Sequence, residues 1–414
     1  MPKPKLHVGV VTTYPPGKGS LNEYGYHFVR GLYKKEEVGQ VTLFTDFLPE
    51  GQCYSQNSQE PLASPDAAQN GHNEWRAPTN FVPCWRFNGW SNFWSILRAV
   101  RQAQPDVVIF NIQFASFGDQ KIAGALGLLT PALLRMFATP TVVLLHNIME
   151  TVNLQSAGFT QNPLAERFIR FAGWLLTNLL LRADLVVVTI PKYVEILEKR
   201  YQAKNVLLAP HGAFEQSAAP PKFELPEGPL QIMTFGKFGT YKKIETLVEA
   251  FRILQKNHND PLELVIAGTN SPNSPQYLEN VAQKYADVSN VRYTGYVAED
   301  DVPRIFGDAA AVVFPYTSTT GSSGVLHQAG DYGKAVVLPQ IGDLAELIAE
   351  EGYTGEFFEP NDVQSLADAI ARIIDHPDRR IEMGRRNYLA ARGLPLEEVV
   401  DWYLLHIETL LKKQ

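Results

Sequence analysis

The feature that most constrains this chain is a rhythm. Short, β-rich apolar runs recur, each closed by a turn and followed by a helical pattern. Leu6 to Val11 opens the series and ends at Tyr14-Pro15-Pro16-Gly17; Val41 to Phe44, Asp106 to Phe110, Thr141 to Leu145, Leu185 to Thr189 and Val206 to Leu208 continue it. Gly212 to Leu230 interrupts it with Pro220, Pro221, Pro226 and Pro229, and the rhythm restarts at Gln231 to Phe235, Glu263 to Ala267, Val291 to Thr294, Ala311 to Phe314 and Ala335 to Leu338. Between these lie helical patterns: Ile244 to Asn257, with Ile244, Leu247, Val248, Phe251 and Leu254 on one face, then Val363 to Ile374, and finally Glu397 to Lys413. Strands that are apolar along their length are covered on both faces, as in parallel sheets flanked by helices. The 414 residues exceed one ordinary core. The expectation is two α/β domains: residues 1–212, a linker at 213–230, and residues 231–395, with the last helix, about 396–414, packing back on the first domain.

Composition narrows the function classes. A net charge of -7 and a pI near 5.8 argue against a dedicated nucleic-acid binder. Cys53 and Cys84 match no disulfide framework and no zinc spacing. A reduced cytoplasm is the expected compartment. Leu6 to Val11 is too short and polar-flanked for a signal core. Phe171 to Leu181, between Arg170 and Arg182, falls short of a spanning helix and reads as a buried helix or as one lying on the inner face of a membrane. Cys53 to Asn80, rich in Gln, Asn, Ser and Pro, reads as a long irregular insertion. Trp75, Trp85, Phe87, Trp90, Phe93 and Trp94 read as core and loop-anchoring residues, with stacking on sugar rings as the alternative.

Three segments carry chemistry. Pro15-Pro16-Gly17-Lys18-Gly19-Ser20 follows the first strand and precedes a helix, so Gly17 and Gly19 allow backbone N–H groups close to an anion. It is not the dinucleotide fingerprint, because Asn22 stands where the third glycine belongs. Gly236-Lys237-Phe238-Gly239-Thr240-Tyr241-Lys242 places two cations five residues apart after a strand, where both can converge on a diphosphate. A departing diphosphate gains charge as its glycosidic bond breaks, and such cations stabilise it. Thr317 to Gly324 is a loop of small residues leading into a helix at Val325. Thr320, Gly321, Ser322, Ser323, Gly324 and Val325 offer hydroxyls and backbone donors for sugar hydroxyls and phosphate.

At these segments the chain resembles the retaining glycosyltransferases of family 4. The likeness is densest from Phe235 to about Arg386, and the matching segments include Leu264-Val265-Ile266-Ala267-Gly268, Val291-Arg292-Tyr293-Thr294-Gly295 and Gly342-Asp343-Leu344-Ala345-Glu346-Leu347-Ile348. Lys237 replaces the family's usual arginine, and Lys243 stands where glycine is common. In the N-terminal half, the run from Gln104 to Gln113 and Leu145-His146-Asn147 fit looser family positions. The family's pair of glutamates is absent: Thr320 and Gln328 occupy the two positions.

The resemblance implies a GT-B fold, an α/β architecture of two Rossmann-like domains facing across a cleft. It implies transfer of a sugar from a nucleoside-diphosphate sugar, with retention, to a glycan, lipid or small polyol acceptor. Lys237 and Lys242 would neutralise the diphosphate, His146 would contact the sugar, Gln328 the ribose, and Gln113 would lie on the acceptor side. No cofactor beyond the donor, no metal and no nucleic acid is called for, and a peripheral membrane contact stays open. A non-catalytic sugar-nucleotide or glycan-binding protein on the same fold is the alternative, ahead of an epimerase or phosphorylase.

Overall fold

The computed structural model describes residues 5–17, 19, 21–54, 77–151, 162–214, 220–271, 274–318 and 323–412. The chain divides into two compact units: Met1–Thr151, Phe168–Pro210 and Leu396–Gln414 form the first, and Val152–Arg167 with His211–Pro395 form the second.

The first unit is built on β1 (Leu6–Val11), β2 (Val38–Asp46), β3 (Thr79–Trp85), β4 (Val107–Ile112), β5 (Thr141–Leu145), β6 (Leu185–Val188) and β7 (Val206–Leu208). They form one parallel sheet in the order β3-β2-β1-β4-β5-β6-β7. Every residue of β4 and β5 is buried, as expected of central strands covered on both faces. Helix α1 (Asn22–Tyr33) lies against the C-terminal helix, α14 (Leu396–Leu411). A Cβ on Gly31 would sit 2.8 Å from Val400 Cγ2, so glycine is what permits the close approach. Phe28 meets Tyr403 edge-on at 5.2 Å, and Lys34 and Lys35 pair with Glu397 and Asp401 at 3.0 and 2.7 Å.

The second unit holds β8 (Leu230–Phe238), β9 (Leu262–Asn270), β10 (Val291–Gly295), β11 (Ala309–Val313), β12 (Ala335–Pro339) and β13 (Glu356–Phe358), parallel in the order β10-β9-β8-β11-β12-β13. Successive side chains leave the sheet on opposite sides. Ile232, Leu264, Ile266 and Val313 join one apolar layer with Leu247, Phe251, Leu366 and Ile370, whereas Met233, Val265, Val312 and Val336 join another with Ile305, Phe306, Leu326 and Ala329. The proline-rich segment read as a linker packs on this unit. Phe223 lies where a Cβ on Gly333 would be 2.7 Å from its ring, and Leu225 packs on the first layer.

Two strands were not anticipated. β3 follows the irregular insertion and contains Pro83, and β13 has 3 residues. A sheet-edge position explains the tolerance of Pro83. Residues 55–76, most of the expected insertion, lie outside the described residues, Trp75 among them. Among those described, no helix is long and apolar enough to cross a membrane. The run around Phe171 belongs to α5 (Pro163–Leu180), which is neither wholly buried nor wholly exposed: Ile169, Thr177 and Leu180 are buried, while Phe168, Phe171 and Leu175 face out.

Candidate functional site

In an open parallel sheet, the connections on either side of the strand-order reversal diverge and leave a crevice at the strands' C-terminal ends. In the second unit the reversal falls between β8 and β11. The two basic residues singled out in the sequence stand there. Lys237 is the second-last residue of β8, paired in register with Thr269. Lys242 lies on the loop after β8, which is sewn to the loop after β11: Lys242 bridges Tyr316, Lys243 N–H donates to the Pro315 carbonyl (3.2 Å), and Thr317 N–H to that of Tyr241 (2.8 Å). The Lys242 ammonium sits 4.9 Å from the Tyr316 ring centre and 5.9 Å from that of Tyr241. These aromatic faces hold a cation in place while leaving its hydrogens available to an anion.

Gly236 makes this arrangement possible. Its φ is +135°, and a Cβ there would lie 2.7 Å from Lys242 Nζ. Lys237 still reaches solvent, yet partial burial, and secondarily the charge of Lys242, hold its ammonium below the usual lysine range. Two like charges that disfavour one another are relieved by a bound anion.

The small-residue loop leads into α10 (Gly324–Asp331). Thr320, Gly321 and Ser322 lie outside the described residues. Ser323, Gly324 and Val325 are half-buried at the helix start, with Leu326 N–H donating to the Ser323 carbonyl at 2.8 Å. Gln328 is enclosed, 2% exposed, so the accessible part of this helix is its first turn.

Beneath that turn lies a polar cluster that sequence reasoning missed. The buried rings of His211 and His327 stack at 4.8 Å with 5° between their planes, and His211 Cε1 is 3.7 Å from where a Cβ on Gly324 would be. His327 Nδ1 hydrogen-bonds Tyr353 Oη at 2.9 Å, and its Nε2 lies 3.7 Å from Glu351 Oε2. Burial pushes His211 down to about 4 and His327 well below the histidine range, and pushes Glu351 and Asp331 up to about 8. Burial thus disfavours the charged form of each of these four groups. Residues 211, 327 and 351 are far apart in sequence, and no local spacing signals their meeting.

The first unit shows a matching construction. Its reversal falls between β1 and β4, and the expected residues follow the ends of β1, β4 and β5. A hydrogen-bonded chain crosses these strand ends: His146 Nε2 to Asn111 Oδ1 (2.7 Å), Asn111 Nδ2 to Thr12 Oγ1 (2.9 Å), and Thr12 Oγ1 to the Thr13 carbonyl (2.9 Å). Because the Asn111 amide nitrogen donates to Thr12, its oxygen faces the imidazole, which fixes the Nε2–H tautomer. Tyr24 meets the ring edge-on at 4.6 Å. Gln113 begins the next loop, its N–H donating to Ser116 Oγ at 2.8 Å. Gly17 N–H donates to the Tyr14 carbonyl at 3.0 Å, and a Cβ on Gly19 would be 2.4 Å from Thr13 Cβ; Lys18 and Ser20 lie outside the described residues.

Two Rossmann-like units of this kind constitute the GT-B fold. Residues 215–390 match the family described as glycosyl transferases group 1. Among curated proteins, the chain is 25% identical over 221 residues to the D-rhamnosyltransferase WbpZ of Pseudomonas aeruginosa (51% of this chain, 55% of that protein). It is 26% identical over 218 residues to a D-inositol 3-phosphate glycosyltransferase of Corynebacterium aurimucosum (49% and 51%). The matches thus span about half the length of these relatives. Among solved structures, the sucrose-phosphate synthase of Thermosynechococcus elongatus superposes with a TM-score of 0.74 at 17% identity, covering 99% of this chain and 100% of that one. Anabaena HepE in complex with UDP and glucose gives 0.66 at 15% identity, covering 97% and 99%.

Proposed function

We propose that the protein is a retaining glycosyltransferase that uses a nucleoside-diphosphate sugar, with the diphosphate taken by the second unit. The observation that carries this reading is the pair Lys237 and Lys242 at the β8/β11 reversal, the latter held against Tyr316. The bond from the anomeric carbon to the β-phosphate oxygen breaks and its electron pair goes to that oxygen, where the two ammonium groups meet the developing charge. The acceptor oxygen bonds the anomeric carbon on the face the phosphate leaves, and its proton passes to the departing phosphate. This route needs no protein nucleophile, and two lysines supply the charge that a metal would otherwise bring. The start of α10 offers N–H donors to phosphate. Gln328 is the residue assigned to the ribose, although it is enclosed here. In the first unit, His146 and Gln113 are assigned to sugar and acceptor hydroxyls, and the Gly17 to Gly19 turn to an anion. The acceptor is a glycan, lipid or polyol, and the cytoplasm is the proposed place of work, with the inner face of a membrane as the alternative.

The test is a thermal-shift screen with uridine, guanosine and adenosine diphosphate sugars, followed by nucleoside diphosphate release with the donor that raises stability. Lys242→Met should lower kcat/KM about ten- to a hundred-fold, the equivalent of a charge-assisted hydrogen bond. Full turnover by that variant at saturating donor sinks the diphosphate role. The two carboxylates missing at Thr320 and Gln328 favour one second reading, a binding protein without turnover. Tight donor binding with no release in any acceptor mixture would select it.

A further inference from the structure

The aromatic corner of the first unit behaves differently from the core role expected of it. Trp85 is buried, its indole N–H donating to the Phe44 carbonyl at 3.1 Å. Phe87, Trp90 and Trp94 instead stand out, 57%, 59% and 60% exposed. They are not on a slack loop. Buried Asn92, at the start of α2 (Asn92–Ala103), accepts from Arg86 N–H (3.0 Å) and donates to the Arg86 carbonyl (2.7 Å). Asn88, at φ +62°, donates its N–H to the Phe117 carbonyl (2.8 Å), accepts from Gln120 N–H (3.0 Å) and donates to Asp119 (2.7 Å). A frame this over-determined fixes large apolar rings in water, which marks a recognition surface.

Beside it, between edge strand β3 and α2, opens a cavity of about 320 Å³. Its lining includes Phe47, Arg86, Ser91, Ser95, Arg98 and Gln102, with the Arg86 guanidinium 4.9 Å from the Phe47 ring centre. The volume is at the small end for a ligand pocket. Phe47 is the exposed aromatic face in the groove's wall, among hydroxyl, amide and guanidinium donors, while Trp90 stands at its rim between the lining residues Gly89 and Ser91. Pro83 removes a backbone donor from the edge that an added peptide strand would need. A membrane favours a convex apolar face, and this groove is neither convex nor uniformly apolar. A sugar ring has an apolar C–H face and a rim of hydroxyls, and it fits both components.

We infer that this corner is a saccharide-binding site, which holds one or two rings of a glycan on the first unit. The inference rests on the glycosyltransferase reading, since it makes the ligand a glycan acceptor. The groove lies two strand positions from β1, roughly 10 Å along the sheet edge that carries Thr12 and Asn111. A chain held here would lie along that edge.

The test needs no turnover. Binding of maltohexaose, mannohexaose and an oligogalacturonate to the full chain is measured by calorimetry and by tryptophan fluorescence. At least one should bind, and Trp90→Ala and Arg98→Gln should each weaken it about ten-fold or more, at unchanged melting temperature. The thermal shift with donor nucleotide should be the same in both variants. No binding by any of the three, or affinity indifferent to both substitutions, overturns the site. So does Trp90-dependent capture by phosphatidylglycerol–phosphatidylcholine vesicles, which would make the corner a membrane contact. Failure of the donor screen with saccharide binding intact would instead defeat the enzymatic reading alone.

Discussion

Gly236→Ala tests whether backbone shape at the end of β8 sets the position of the Lys242 ammonium. The substitution has two separable costs. The first is conformational: φ is +135°, a region L-residues avoid, and holding alanine there costs about 1–3 kcal/mol of stability. The second is steric: the new methyl would lie 2.7 Å from Lys242 Nζ. That atom ends a flexible side chain, so the ammonium moves and the strand stays. A displaced ammonium loses a charge-assisted contact of about 1.5–3 kcal/mol in the transition state, hence a loss of about ten- to a hundred-fold in kcat/KM. Denaturant unfolding reads the first cost, and nucleoside diphosphate release reads the second. If the methyl acts through Lys242, the double variant Gly236→Ala with Lys242→Met should be no slower than Lys242→Met alone. Multiplying losses in the double variant would refute the argument. Gly268→Ala supplies the contrast: its φ is +137° and its Cβ would fall 1.9 Å from the Gly236 carbonyl oxygen, which cannot swing away. It should destabilise more than Gly236→Ala, and an equal or smaller loss would show that these contacts do not govern the strand.

Stability should fall as pH rises from 6.5 to 8. Glu351 and Asp331, pushed up to about 8 by burial, contribute stability in full below their ordinary values and lose it as pH climbs through 8; each adds a slope of roughly 1.4 kcal/mol per pH unit. Glu351→Gln should flatten that slope in denaturant titrations, and an unchanged slope would place the titration elsewhere. On the acid side, His211 is pushed down to about 4, so its contribution is present above 6.5 and drains as pH falls toward 4; His211→Asn should reduce this acid loss. Asn111→Ala should cost about 1–3 kcal/mol, because it strips both Thr12 Oγ1 and His146 Nε2 of their partner at a buried position, and turnover should fall with it. Wild-type stability in that variant would mean the chain of hydrogen bonds carries no weight.

The architecture was legible because buried parallel strands write themselves as apolar runs. Leu6–Val11, Thr141–Leu145 and Val206–Leu208 match the observed strands residue for residue. β3 was not legible, since Thr79 to Trp85 mixes polar residues and a proline, and what makes it a strand is its pairing with β2. The same division holds at the site. Lys237 and Lys242 were visible as cations after a strand, but their aromatic seat was not, because Tyr316 reaches Lys242 only through sheet topology. The aromatic corner was misjudged for a related reason. Composition reports that Trp90 is large and apolar, whereas its exposure is decided by Asn88 and Asn92, whose hydrogen bonds reach to Phe117, Gln120 and Arg86.

The buried cluster beneath α10 gives a physical reason why an amide suits position 328. Gln328 is 2% exposed, on the same short helix as Asp331 and beside His327, and burial disfavours the charged form of both neighbours. A glutamate in so enclosed a place would face the same desolvation and would be driven toward its protonated form at neutral pH. Glutamine keeps the shape and an amide able to donate and accept, without a titration. An amide at position 328 adds no negative charge near the helix start, and Lys237 and Lys242 stand at the reversal where the loops after β8 and β11 meet. On this argument an amide at position 328 spares the second unit a buried carboxylate on the helix that follows its two lysines.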